Sequence, residues 1–282
     1  MTEERKGRTI GPAERARLDA LKRSWQQRKE MTNRLSSLKV KIGVYSGKGG
    51  VGKTTVAANL AVALAQRGYQ VGLMDADIDC PNATRAIGVT TAPTQEDQQV
   101  VPPEAYGVKV MSMAFFQENE EEAIIWRGPM VHNAINQFIQ ITKWGDLDFL
   151  VVDLPPGTSD APLTIMQTLQ LDGFVVVTTP QSLAVLDAKR SINMIKKMNV
   201  NVLGVVENMA GDVFGSGAGE EMARDMGLPF LGRMELRRDY REGDRPPVLT
   251  SKKVGQEYER IVDNLLARLE TLQPAAQPAS PQ

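Results

Sequence analysis

Residues 46 to 55, Ser-Gly-Lys-Gly-Gly-Val-Gly-Lys-Thr-Thr, hold the clearest chemistry in this 282-residue chain. From Gly47 to Thr54 they fit G-x-x-x-x-G-K-[ST], a loop whose backbone N–H groups surround phosphate oxygens. Gly47, Gly49, Gly50 and Gly52 let the backbone turn those groups inward around Val51, and the positive end of a helix starting near Lys53 adds to the attraction. Lys53 is placed to reach outer phosphates, and the Thr54 hydroxyl, with Thr55 beside it, is placed to ligate Mg²⁺. Lys48 is one lysine more than phosphate binding needs.

A magnesium triphosphate also needs a carboxylate at the end of a neighbouring strand. Asp153, closing the apolar run Asp-Phe-Leu-Val-Val-Asp, has that position, and Pro-Pro-Gly-Thr-Ser-Asp follows it with a flexible Gly157 and with Asp160 as a helix cap. Asp75 and Asp77 end a second apolar run, where one of them is expected to orient an attacking water unless both only cap the turn.

The elements that must position these groups read as short Val/Ile/Leu runs alternating with helical stretches. Strands are expected near 41–46, 69–75, 108–113, 147–153, 173–179 and 201–208, and helices near 53–67, 130–141, 160–170, 183–198, 217–226 and 254–272. Such alternation predicts an α/β fold, a doubly wound and mainly parallel sheet with helices on both faces. Ligands of these sheets bind beyond the carboxyl ends of the strands, where every acid above falls. The ATPase-like unit is expected over 39–272, between a basic helical extension (1–38) and a Pro-rich disordered tail (273–282). Residues 1–39 hold 11 of the 33 Lys and Arg but only 5 of the 34 Asp and Glu, so 22 against 29 remain for the rest. Neither a signal-peptide run nor a membrane-length apolar segment is present, and a cytoplasmic location is expected. One cysteine, Cys80, allows no internal disulfide and is expected to be a partly buried free thiol.

In chain order, Lys-Gly-Gly-Val-Gly-Lys-Thr-Thr (48–55), Asp-Ala-Asp-Ile (75–78), Trp-Arg-Gly-Pro-Met (126–130), Asp-Leu-Pro-Pro-Gly-Thr-Ser-Asp (153–160) and Glu-Asn-Met (207–209) resemble the Mrp/ApbC-type P-loop ATPases. That family carries iron–sulfur clusters and is related to the MinD and ParA partitioning ATPases. The resemblance implies ATP rather than GTP and a homodimer that sandwiches two nucleotides. It further implies that Lys48 crosses to the partner's phosphates, that Asp77 positions the hydrolytic water, that Asp153 supports Mg²⁺ and that Asn208 contacts adenine. The absence of an N-K-x-D guanine-reading motif agrees with ATP.

Two departures limit what the resemblance carries. Cluster-carrying members have C-x-x-C shortly after Glu-Asn-Met, whereas here Ala-Gly-Asp-Val-Phe-Gly-Ser-Gly follows. Asp212 and Ser216 are poor substitutes for thiolates, so no iron–sulfur cluster is expected at the usual position. The segment 232–248 carries Arg237, Arg238, Arg241 and Arg245, read as a solvated face paired with Glu235, Asp239, Glu242 and Asp244 rather than a DNA or acidic-partner patch. His132 has no histidine partner and is read as peripheral, and the last helix reads as core packing rather than as a membrane anchor. The expectation is therefore a Mg²⁺-dependent, dimeric ATP switch acting on a protein client. A DNA-binding positioning ATPase and a regulatory module that holds nucleotide to recruit a partner are the alternatives.

Overall fold

The computed structural model describes residues 37–77, 80–97, 99–116, 128–158, 160–241 and 245–272, without the side chains of 128–132, 160 and 161. The expected N-terminal helix and C-terminal tail, Trp126, Glu242, Asp244 and the side chains of His132 and Asp160 lie outside the described residues.

The sheet core consists of β1 (Leu38–Tyr45), β2 (Val71–Asp75), β6 (Val108–Ser112), β7 (Leu147–Asp153), β8 (Gly173–Thr178), β9 (Val202–Ala210) and β10 (Phe230–Glu235). The order is β10-β9-β8-β1-β7-β2-β6-β5, with every pair parallel except the short edge strand β5 (Glu104–Ala105) against β6. A separate two-stranded ribbon, β3 (Thr94–Glu96) with β4 (Gln99–Val101), was not legible as strand. β3 is polar and exposed, and β4 is three half-buried residues with adjacent Val100 and Val101, so no apolar alternation marks the ribbon.

Helices cover both faces. On one side lie α1 (Lys53–Gln66), α2 (Ala83–Ile87), α7 (Pro247–Thr250) and α8 (Lys252–Leu272), with Leu60, Leu64, Tyr258, Ile261 and Leu265 buried against Ile42, Val44, Leu73 and Val151. On the other lie α3 (Gly128–Ile141), α4 (Asp160–Leu169), α5 (Ser182–Lys197) and α6 (Ala218–Asp225), with Ile135, Phe138, Ile165, Ile192 and Met222 against Tyr45, Leu150, Val152 and Phe174. Neighbouring strand residues such as Val151 and Val152 belong to opposite cores, as the two-residue repeat of a strand requires. Truncating one of these side chains, Leu64→Ala for example, costs about 2–5 kcal/mol. No helix among the described residues is long and apolar enough to cross a membrane.

Register positions the site. Val44 of β1 and Asp75 of β2 both lie level with Asp153 of β7, so the three strands that flank the phosphate loop end together.

Candidate active site

From Tyr45 the chain turns through Gly47–Gly52 into α1, whose first residue is Lys53. Two of the glycines are dictated by their neighbours. Gly52 has φ +81°, and a Cβ there would lie 2.3 Å from Asn208 Nδ2; a Cβ on Gly47 would lie 2.3 Å from the Asp187 carbonyl oxygen of α5. Below the loop, Asn208 Nδ2 donates to the Val51 carbonyl at 2.8 Å and its Oδ1 accepts from Met209 N–H at 2.9 Å. The Tyr45 hydroxyl donates to the Gly157 carbonyl, and Gly157 N–H donates to Ser46 O at 3.1 Å, which fixes the turn after β7 against the loop.

Lys53 is 6% exposed, and its Nζ stands 2.6 Å from Asp153 Oδ1 and 3.8 Å from Asp77 Oδ2. Asp153 Oδ2 is buried and has no hydrogen-bond partner among the described residues. Burial pushes the Asp153 carboxyl up from its ordinary range, against the pull of Lys53 and Thr54. Asp75 has a different role from Asp77. Its Oδ1 accepts from Asp77 N–H at 3.1 Å, and its Oδ2 accepts from Ala83 N–H at 2.9 Å and the Ser112 hydroxyl at 3.0 Å. Burial and the nearby Asp153 push Asp75 up to about 7 while those three donors hold it down. Asp75 thus ties β2 to β6 and α2 and aims the chain at Asp77.

These groups open on a cavity of about 520 Å³ whose wall includes Gly49, Gly50, Gly52, Lys53, Thr54, Thr55 and Asp77, with Pro155 and Pro156. The structure therefore brings together Lys53, Thr54, Thr55 and Asp77 on that wall, with Asp153 paired to Lys53, and it leaves four expected residues, Gly47, Lys48, Val51 and Asn208, off the wall. Lys48 is not on the wall of its own chain's cavity, and Asn208 lies 6% exposed beneath the loop rather than on that wall. Cys80 is exposed and sits on the cavity wall, which corrects the expectation of a partly buried thiol. The arginine segment is also reapportioned. Arg237 is held by Glu235 and by Glu257 of α8, both at 2.8 Å, whereas Arg241 and Arg245 face a second cavity.

Sequence reasoning missed Ser112, the partner of Asp75, and Glu207. Glu207 is fully buried and accepts from Gly217 N–H at 2.8 Å, Gly219 N–H at 2.6 Å and Arg233 Nε at 2.6 Å. A lone acid inside the apolar run Val-Leu-Gly-Val-Val-Glu was the available signal for it.

A glycine loop between a buried strand and a helix, closed by a lysine that meets two strand-end acids, is a phosphate-binding site of the P-loop kind. The family model described as NUBPL iron-transfer P-loop NTPase, of the ParA group, matches residues 37–269. The chain belongs to this family. Among relatives of the family, a protein of Methanocaldococcus jannaschii named iron–sulfur cluster carrier protein is 41% identical over 261 residues, 87% of this chain and 90% of its own length. A nucleotide-binding protein from Archaeoglobus fulgidus, solved in complex with ADP, is 32% identical with a TM-score of 0.66 over 90% of this chain and 97% of that one. The cell-division ATPase MinD of Pyrococcus furiosus, 22% identical, shares the fold with a TM-score of 0.63 over 82% of this chain and 99% of its own. The chain thus has the mostly parallel P-loop architecture of its family, with the phosphate loop at the carboxyl edge of the sheet.

Proposed function

We propose that this family member is a Mg²⁺-dependent ATPase that hydrolyses ATP to ADP and phosphate as a homodimer, and that its nucleotide cycle gates the handling of an iron–sulfur cluster. The observation that carries this reading is the convergence of Lys53, Thr54, Asp77 and Asp153 under one glycine loop. The loop N–H groups and Lys53 hold the β- and γ-phosphates, and Asp77, on the open cavity, accepts a hydrogen bond from the attacking water and orients it. Oxygen donors at Thr54 and the unpartnered Asp153 Oδ2 suit Mg²⁺, which takes a hydroxyl or one or two carboxylates and completes its shell with water and phosphate. Bound there, the ion neutralises charge on the phosphate oxygens. The unit that does this is residues 39–272, with 1–38 and 273–282 as appendages.

Lys48 is the in-trans cation of this scheme: it stands outside its own cavity, so a second copy brings it to the phosphates. The exposed Leu183 and Leu186 follow β8, Val213 and Phe214 follow β9, and Leu236 follows β10, giving an apolar rim on the same edge for that copy to cover. Asn208 reaches adenine in this reading only if its amide leaves the Val51 carbonyl or shares it.

The cluster is cargo. Cys80, the chain's one cysteine, gives a dimer two thiolates where a cluster takes four ligands, so the client supplies the rest. Asp77→Ala protein in ATP and Mg²⁺ tests the scheme. It is expected to accumulate as a dimer by light scattering and to retain iron–sulfur apoproteins in a pull-down, both reversed by ADP. A monomer in ATP overturns the dimer switch, and retention of DNA in place of apoproteins overturns the cluster reading.

A further inference from the structure

After Asp153 the chain leaves β7 through Leu154, Pro155, Pro156 and Gly157, and the two prolines stand on the wall of the phosphate cavity. Prolines have no N–H to donate, so this turn has few means of holding itself to the sheet. Its anchors are three consecutive residues of β1 and its end. Leu154 N–H donates to Val44 O at 3.2 Å, Gly157 N–H donates to Ser46 O at 3.1 Å, and the Tyr45 hydroxyl donates to the Gly157 carbonyl. The last of these comes from a side chain, so a substitution can remove it while the backbone stays. Tyr45 is fully buried, with its ring edge-on to Phe174 at 6.2 Å between centroids. Burial pushes its hydroxyl up to about 12, against the pull of Ser191, so it keeps its proton and stays a donor at any working pH. Ser191 belongs to α5, where its Oγ donates to Asp187 O at 3.0 Å, and a Cβ on Gly47 would lie 2.3 Å from that carbonyl oxygen and 2.8 Å from Ser191 Oγ. Tyr45 therefore stands where the turn, the first glycine of the loop and α5 meet. A phenylalanine would fill the same apolar space, so the hydroxyl serves the polar contact and not the packing.

We infer that Tyr45 is a positioning residue for ATP hydrolysis, whose hydroxyl sets the Pro155–Gly157 turn against the phosphate cavity. The turn abuts the loop directly, since a Cβ on Gly49 would lie 4.0 Å from Pro156 Cγ. It also starts from Asp153, the acid bonded to Lys53, and shares the cavity wall with Asp77. Releasing the Gly157 carbonyl leaves the loop N–H groups and Lys53 where they are, so nucleotide still binds. What shifts is the wall around the reacting atoms, and a misplacement of about 1 Å at such a site costs about 10²-fold in rate. The inference rests on the ATPase reading for this rate effect; the hold on the turn stands on the bonds alone.

The test compares wild type, Tyr45→Phe and Phe174→Leu in the full chain. Steady-state turnover of ATP with Mg²⁺ gives kcat and KM, a fluorescent ATP analogue gives affinity, and amide hydrogen exchange read by NMR without nucleotide gives the hold on Gly157 N–H. Tyr45→Phe is expected to lower kcat about 10- to 100-fold with affinity kept within about two-fold. It is also expected to speed exchange at Gly157 about ten-fold or more, while Val151 and Val152 of β7 keep their wild-type rates. Phe174→Leu loosens the packing on the same ring but keeps the hydroxyl, so it is expected to lower the thermal melt and leave kcat within about three-fold. A kcat for Tyr45→Phe within about two-fold of wild type overturns the proposal, as does an equal loss in both variants, which assigns the effect to packing. Affinity that falls in step with kcat also overturns it, because the phosphate loop and not the turn has then moved. Wild type without turnover overturns the ATPase reading, and exchange alone then judges the hold on the turn: an unchanged Gly157 rate in Tyr45→Phe overturns that too.

Discussion

Two clusters of buried charge lie at the carboxyl edge of the same sheet, one around Lys53 between β1, β7 and β2, the other around Glu207 at the end of β9. The second is closed. Glu207 accepts from two backbone N–H groups and from Arg233 Nε, and Arg233 Nη2 goes on to Glu220 at 2.9 Å. The first is open, with one lysine between two acids, one carboxylate oxygen unpartnered and Asp77 facing a cavity. A buried charge whose bonding capacity is filled holds backbone in place, here the turn 211–217. One whose capacity is unfilled costs stability until a ligand completes it.

The sharpest break is expected at Lys48, which belongs to neither cluster of its own chain. Lys48→Ala should lower ATP turnover by about 10³-fold, the scale of a trans-acting cation in phosphoryl transfer, while nucleotide affinity changes little. Single-turnover hydrolysis beside equilibrium binding measures both, and turnover that stays within a few-fold of wild type removes the in-trans role.

The two clusters themselves should respond in opposite ways. Glu207→Ala leaves Arg233 and two helix N–H groups without their buried acceptor and should cost about 3–5 kcal/mol in urea unfolding, with nucleotide binding retained by the folded fraction. Asp153→Asn removes a carboxylate that burial already disfavours, so it should cost under about 1.5 kcal/mol while stopping Mg²⁺-dependent turnover. If the first abolishes ATP binding in folded protein, or the second unfolds the chain, the open and closed distinction fails.

This contrast also explains what the sequence could and could not disclose. The phosphate loop, Asp153 and six of the seven parallel strands were legible because local patterns dictate them: glycine spacing, a strand-end acid, unbroken Val/Ile/Leu runs; β10, interrupted by Gly232 and Arg233, was not. Whether an acid is open or closed depends on residues far away in the chain. Asp75 and Asp77 look equivalent in Asp-Ala-Asp, yet Ser112 and Ala83 saturate the first and leave the second on the cavity. Glu207 needed Arg233 and the start of α6, and Arg237 needed Glu257 of α8.

A pH dependence follows from Asp75. Its native carboxyl holds a proton up to about 7, whereas an unfolded aspartate releases it near 4, so between those limits the native state binds more protons. Stability should therefore fall as the pH rises from about 4 to about 7, by up to about 4 kcal/mol, and be insensitive to this group outside that window. Asp75→Asn should flatten the slope in urea unfolding followed across the range; a slope that persists unchanged assigns it to other groups.

The smallest effect is the one that decides what Asn208 does. Its amide supports the loop from below, donating to Val51 O, and Gly52 is a glycine because that amide occupies the space a Cβ would take. Asn208→Ala should cost about 1 kcal/mol of stability for the lost bond. If the side chain acts through the loop, ATP and GTP affinities fall by the same factor, because both share the phosphates that the loop holds. If it also turns to the base, only ATP is weakened and the preference for ATP over GTP shrinks. The ratio of the two affinities in the variant separates support from recognition, even where the absolute losses are slight.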